Sequence, residues 1–352
     1  MKKLDETSKA SRDFGTDLLR IILMAMIVLH HMIVHGFGLS GLQNGQMMGG
    51  GKKRLFLANS FVVVAVNSFF FISGFWKIKA NWKKLFALFL ETALYILAIN
   101  LVFIVTGIEK LSVASIFKIA KEMLMCLNQY WFMAAYFIVY LLAPYINKLT
   151  DRLDETERIH FFILLMVVNT LFGFLFGIGG LGEGHTAIQG IYLYILGRLC
   201  AEENEKIRKI ISRKYLLLIY LIACIANGVL VCIFNMIGEY KRAWKLFSYN
   251  NPLIVVAACV LSLLFIGMKM KCHMLKRLIP NFAKHVLAIY LLTDYEPMRK
   301  FIFWPVVVMS KYSNSIILIV AIIVLYVAVV SIVCILIDCL MSKVYNTILV
   351  KK

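Results

Sequence analysis

Residues Ser315 to Ile337 read SIILIVAIIVLYVAVVSIVCILI, without one charged side chain. A helix needs about 18–20 such residues to cross the hydrocarbon of a bilayer. Other apolar runs follow the same pattern. Of 352 residues, 61% are hydrophobic and 16% charged, against roughly 45–50% and 25% in soluble globular domains. Apolar length predicts ten helices, at about 17–35, 55–76, 82–106, 129–147, 159–178, 186–200, 214–236, 252–268, 280–295 and 315–341. The expected fold is all-α, a polytopic membrane bundle forming a single domain over 1–352. Within it, 1–16 is a cytoplasmic tail and about 17–341 the bundle. The first residues are polar and basic, with no cleavage site after a short apolar stretch, so they do not read as a secretory signal.

The formal charge of +19 raises the question of nucleic acid. The lysines and arginines, however, fall in short clusters between the apolar runs. With the N-terminus inside, the inner segments hold roughly twice as many as the outer ones. That excess predicts cytoplasmic N- and C-termini in a multi-pass plasma-membrane protein with no nucleic-acid partner. The eight cysteines form no CxxC pair and lie mostly within spans, as small core residues do. The segment from Leu111 to Asn128 alternates apolar and basic residues at helical spacing. It reads either as a helix on the membrane surface or as a loop helix packed on the bundle. Gly51-Lys52-Lys53 lacks the Ser or Thr and the glycine spacing of a phosphate loop.

The first span carries the residues best suited to chemistry. Arg20 and His31 stand eleven positions apart, 20° beyond three full helical turns, so they share a face about 16 Å apart. His30 points about 80° away from Arg20, and His35 returns near the His31 face. Charged or ionisable side chains at such depth are functional candidates. Imidazole suits removal of a proton from an alcohol near neutral pH. A guanidinium suits phosphates or carbonyls arriving from the cytoplasm. A snorkelling arginine and a packing histidine would look the same at this level. His31 and His35 have metal-ligand spacing, but no third ligand accompanies them, so no metal is expected.

Arg20 and His31, with ten residues between them, resemble the signature of the bacterial membrane acyltransferase family 3. Three further stretches are similar to that family in order and spacing. They are Phe69-Phe70-Phe71-Ile72-Ser73-Gly74-Phe75, then Gln129-Tyr130-Trp131-Phe132-Met133-Ala134-Ala135-Tyr136 running on to Pro144, and Ala288-Ile289-Tyr290-Leu291-Leu292-Thr293-Asp294. The resemblance covers about residues 13–340. It implies O-acylation of an envelope glycan or polysaccharide in the bacterial inner membrane, with acetyl-CoA as donor. His31 and Arg20 would then be catalytic. Two departures stand out. Thr293 occupies the place of the family's late histidine, whose role is absent or moved to Asp294. Lys83 and Lys84 stand where many relatives have paired arginines, and they are expected to contact the donor's phosphates.

Glu91, near the middle of the third span, is expected to pair with His31 or to hold a structural pair with another helix. Trp131 and Tyr136 are candidates for stacking on a sugar or a pantetheine arm, or are ordinary belt aromatics. Ser73 reads as a small residue for helix approach rather than a nucleophile, because the Gly-x-Ser-x-Gly context is missing. Glu183 and His185 lie in a glycine-rich outer loop and either meet an acceptor or form a solvated turn. The rival function is an exporter or flippase of a lipid-linked glycan, which predicts discontinuous helices and internal repeats. No repeat relates the two halves.

Overall fold

The computed structural model describes residues 13–49, 53–178, 181–310 and 315–350. Residues 1–12 of the expected tail, and the Gly51-Lys52 pair, lie outside them. Among the described residues the chain is all-helical. The first helices are α1 (Phe14–His31), α2 (Lys53–Val62), α3 (Ala65–Phe75), α4 (Trp82–Val105), α5 (Val113–Leu124) and α6 (Cys126–Gln129). Next come α7 (Trp131–Thr150), α8 (Glu155–Val168), α9 (Ala187–Glu202), α10 (Asn204–Ile210) and α11 (Arg213–Met236). The last are α12 (Tyr240–Lys245), α13 (Pro252–Phe265), α14 (His273–Phe282), α15 (Val286–Thr293), α16 (Glu296–Ser310) and α17 (Ile316–Val350).

Seven helical segments are long and apolar enough to cross a membrane. They are Phe14–Gly36, Lys53–Phe75, Trp82–Val105, Trp131–Thr150, Glu155–Leu175, Arg213–Met236 and Ile317–Tyr345. The apolar helix Pro252–Phe265 is shorter. Helices α8 and α17 lie outermost: Ile163, Ile317, Leu325 and Leu336 are all more than half exposed, as a face toward lipid tails requires. Helix α5 exposes Val113, Ile116 and Phe117 while sending Glu122 inward to the Tyr295 hydroxyl at 2.7 Å. Through that bond it is packed on the bundle.

The ninth expected span differs. In place of one helix over 280–295, α14 ends at Phe282, α15 runs from Val286 to Thr293, and α16 begins at Glu296. The apolar run is interrupted by Asp294 and resumes beyond Arg299, so a reading by apolar length truncates it.

Close helix crossings hold the core. Lipid tails are as apolar as leucine, so no hydrophobic drive brings helices together in a bilayer, and small residues at the contact matter more. A Cβ added at Gly74 would sit 2.0 Å from the Tyr194 carbonyl oxygen, and one at Gly197 would sit 2.1 Å from that of Phe71. Helices α3 and α9 therefore touch backbone to backbone. Ser73 next to that contact donates to its own helix, at Phe69 O, 2.8 Å away. At the Arg20 end, Trp76 Nε1 donates to Thr16 Oγ1 at 2.8 Å. Asp13 caps α1 and also accepts from Gly267 N at 3.0 Å. These bonds tie α1, α3 and the end of α13 together.

A rigid carbonyl cannot give way to a new side chain. Gly74→Val should therefore destabilise the protein by at least the roughly 1–3 kcal/mol typical of overpacking, read as a fall in the melting temperature of detergent-purified protein. Ser73→Ala removes only an intrahelical bond and should leave the melting temperature within a degree or two.

Candidate active site

Helix α1 ends at His31 and passes into a π-helical turn, Met32–Gly36. Such turns insert an extra residue and recur at functional sites. Here the turn brings the His31 and His35 rings to 5.9 Å. His31 Nδ1 lies 3.3 Å from Asp294 Oδ1, a charge contact without the alignment of a good hydrogen bond. His30 does not leave this region as its 80° offset predicts. Its Nδ1 is 2.7 Å from Asn59 Oδ1 of α2, and it lines the same cavity as His31 and His35. The cavity spans more of the helix surface than one face.

Asp294 is held by the break in its own helix. Stopping α15 inside the bundle leaves the carbonyls of its last turn without intrahelical donors. The Tyr130 hydroxyl donates to Leu291 O at 2.7 Å. Arg299 Nε donates to Asp294 O at 3.1 Å, and Arg299 Nη2 to Asp294 Oδ1 at 2.7 Å. One guanidinium thus closes the backbone and pairs the carboxylate. Backbone irregularity at this depth is tolerated where protein groups satisfy it and a cavity adjoins it. Asp294 itself is only 2% exposed.

Above the His31–Asp294 pair lies a cavity of about 490 Å³, within the usual range for small-molecule sites. Trp131, Trp244, Tyr249, Glu183, His185 and Arg299 contribute to its wall. Trp131 stacks on Tyr249 at 5.4 Å, and His185 meets both rings edge-on. The loop carrying Tyr249 is fixed by buried amides. Asn67 and Gln189 donate to Tyr249 O at 2.7 and 3.0 Å, and Asn169 donates to Asn250 O at 2.8 Å. His35 and Arg299 also border a second cavity of about 390 Å³.

Toward the other end of α1, Arg20 reaches Asp17 at 3.3 Å. Its charge also acts on Tyr136, whose hydroxyl lies against Ser73. Aromatic rings fill the interval between Arg20 and His31. Tyr140 to Tyr136 is 6.3 Å, Tyr136 to Phe132 is 6.0 Å, Phe132 to Tyr290 is 5.6 Å and Tyr290 to His31 is 6.5 Å.

Residues 13–339 match the acyltransferase domain of acyltransferase family 3. The chain belongs to that family. The protein is therefore a multi-pass membrane acyltransferase, and the match takes in nearly the whole chain. No curated protein and no solved structure matches it.

Of the residues singled out from the acyltransferase sequence, His31, Asp294 and Trp131 meet at one cavity. Tyr136 sits with Arg20 instead, and Lys83 and Lys84 are exposed in the first turn of α4. Glu91 is elsewhere. It lies beside Asp338, which accepts from Tyr95 Oη at 2.5 Å and pairs with His285 Nδ1 at 2.7 Å. His285 precedes α15 and Asp294 follows it, so the two groups are about 13 Å apart along the helix. The carboxylate on His31 is Asp294, and Glu91 lies beside a second carboxylate, Asp338, rather than beside His31. Arg299, Tyr130 and Asn59 escaped the sequence reading. Arg299 lies beyond the apolar run expected to end at 295; its only signal was its place five residues after Asp294.

Breaking a buried ion pair from one side leaves the other charge uncompensated. Asp294→Ala should therefore lower stability by about 3–5 kcal/mol. Combining it with Arg299→Leu should recover part of that loss. Equal melting temperatures for the single and double variants would mean that Arg299 finds another partner.

Proposed function

We propose that this acyltransferase takes an acetyl group from cytosolic acetyl-CoA and transfers it to a hydroxyl of an envelope glycan or polysaccharide. The observation that carries the reading is His31, 3.3 Å from a buried carboxylate at the floor of a polar, aromatic-walled cavity. The chain would sit in a bacterial inner membrane with both termini inside. In that reading α9, α13 and the α15–α16 pair are three further crossings beside the seven long ones, making ten.

Asp294 lies on the Nδ1 side of His31, which leaves Nε2 for the substrate. His31 Nε2 takes the proton of the acceptor hydroxyl as the oxygen bonds to the thioester carbon. The carbon–sulfur bond then breaks, and the thiolate recovers the proton from the imidazolium. Asp294 stabilises the imidazolium while it exists, the part a carboxylate plays behind a catalytic histidine. Trp131 offers a flat apolar face to a sugar ring. Arg20 would meet the donor, and Tyr136 would flank its pantetheine arm. Lys83 and Lys84 would neutralise its phosphates as point charges. Glu91 takes no part in this step. A donor arm entering at Arg20 must reach about 16 Å to His31, so both substrates can meet at one base without crossing the membrane.

His31→Ala should reduce turnover by roughly 10²–10⁴ with normal expression. His30→Ala should matter far less, because Asn59 already engages its Nδ1. Similar losses in both variants would remove His31 as the base. Arg20→Ala should weaken acetyl-CoA binding more than it changes acceptor affinity, with only partial rescue by Lys.

The alternative, an exporter or flippase, draws on the break between α15 and α16, a feature transporters also use. It predicts that purified protein never consumes labelled acetyl-CoA. Direct transfer also predicts no acyl-enzyme. A stoichiometric acylated peptide, trapped in acid without acceptor and chased into product on its addition, would replace this scheme with a covalent relay. Ser73 is a poor carrier, since its hydroxyl is already committed to Phe69 O.

A further inference from the structure

Beside the cavity above His31 lies the second one, of about 390 Å³. The two share His35 and Arg299 as lining, so they adjoin along one edge. The rest of the second wall comes chiefly from one face of α16. Glu296, Lys300 and Trp304 follow one another at four-residue steps along that face, about 6 Å apart and about 12 Å from end to end. The cavity closes where α16 touches the π-helical turn. A Cβ added at Gly36 would sit 3.2 Å from both Phe303 Cβ and Val307 Cγ2. From behind, the Tyr326 hydroxyl of α17 donates to Ile302 O at 2.6 Å. Arg299, on the shared edge, is fixed by Asp294. The face is thus held in place by its neighbours.

Its chemistry is mixed. Glu296 and Lys300 have the spacing at which a helix favours an ion pair. Both are exposed, yet among the described residues neither has a partner of opposite charge within ion-pair distance. The Lys300 ammonium lies instead over the Phe301 ring, 5.0 Å from its centroid. Trp304 is 67% exposed, which leaves its indole open to a ligand. A carboxylate that accepts, an ammonium that donates and a flat indole together suit a sugar. Each sugar hydroxyl both donates and accepts, and the C–H face of the ring lies against an aromatic plane. A phosphate would find the ammonium but meet the carboxylate one step away. An apolar chain would cover both charges without pairing either.

We infer that this second cavity is a sugar subsite, so that the acceptor is a chain of at least two rings lying across His35 and Arg299. The ring to be acylated sits at Trp131 above His31, and its neighbour in the chain sits on Trp304, between Glu296 and Lys300. This subsite rests on the glycan-acceptor reading above and narrows it from any hydroxyl-bearing molecule to an oligosaccharide. A single sugar fills only the first cavity. The second ring is remote from the reacting atoms, and its contacts serve to hold the first ring in register with His31 Nε2.

Acceptor length tests this. The full-length protein in phosphatidylcholine nanodiscs is given labelled acetyl-CoA and fragments of one, two, three and four sugars. These are cut from the surface polysaccharide of the cells that carry the protein and freed of acyl groups by mild base. kcat/KM should rise about tenfold or more from one sugar to two, the size of one well-packed ring contact. Trp304→Ala should abolish that rise, and Trp304→Phe should keep most of it. Glu296→Ala combined with Lys300→Ala should also reduce it, at an unchanged melting temperature. Phe117→Ala, on an exposed aromatic of α5, should change nothing. If all lengths are acetylated at one rate, or the rise survives Trp304→Ala, the subsite is wrong and the glycan acyltransferase reading stands. If no fragment is acetylated, whether or not acetyl-CoA is consumed, the glycan acceptor and the subsite fall together. Equal losses at every length in Trp304→Ala, with a lowered melting temperature, would make Trp304 a membrane-interface anchor. A rise abolished by replacing phosphatidylcholine with phosphatidylglycerol would make the cavity a lipid-headgroup site. Either result overturns the inference.

Discussion

The site depends on how one interrupted helix is closed. Ending α15 at Thr293, inside the bundle, exposes carbonyls that no water of the hydrocarbon region can satisfy, at several kcal/mol each if left open. Arg299 and Tyr130 supply the missing donors. The same guanidinium binds the Asp294 carboxylate, so the cation that closes the backbone also compensates the buried charge. Only because both demands are met can Asp294 stand beside His31. A continuous helix through 286–310 would have satisfied its backbone without help, and it would have carried Asp294 on a regular face rather than at a bend.

Two different kinds of material surround this point. Toward the Arg20 end the space is filled by rings, from Tyr140 to Tyr290, which pack tightly and carry few polar demands. Toward the other end the wall is polar and aromatic, held by buried asparagine and glutamine side chains bonded to loop carbonyls. Those amides allow an irregular loop to sit deep in an apolar setting, since each donates to a carbonyl that would otherwise be unpaired. The cavity is lined by polar and aromatic groups on one side of His31 and bounded by packed rings on the other.

The second His–Asp pair, His285 with Asp338, sits at the other end of α15. With Tyr95 it binds α4, α15 and α17 together through a buried polar cluster. Such clusters specify which helices meet, because a mismatched partner leaves a charge or hydroxyl unsatisfied. Short α15 is thereby anchored at both ends by a carboxylate, once to α17 and once to α1.

How far the chain alone speaks is clearest from particular residues. Lipid contact depends on apolar length, a one-dimensional property, and so the long spans, the helical class and the shared face of Arg20 and His31 were determined by the order of residues. So was the family, through four motifs in register. The partner of His31 was not. Glu91 and Asp294 are both carboxylates in apolar surroundings, and no local pattern distinguishes them; the choice falls to Asp294 because α15 packs on α1 and breaks where it does. Arg299 was hidden for the same reason, since a cation beyond an apolar run looks like an outer-loop residue until the helix is seen to resume. The cavity wall around Tyr249 depends on side-chain amides from α3, α9 and the segment after α8, which lie 60 to 182 residues from the carbonyls they bond. Sequence determined what could enter the membrane. Which polar groups meet there was decided by tertiary packing, because each must find a partner and only the assembled bundle supplies one.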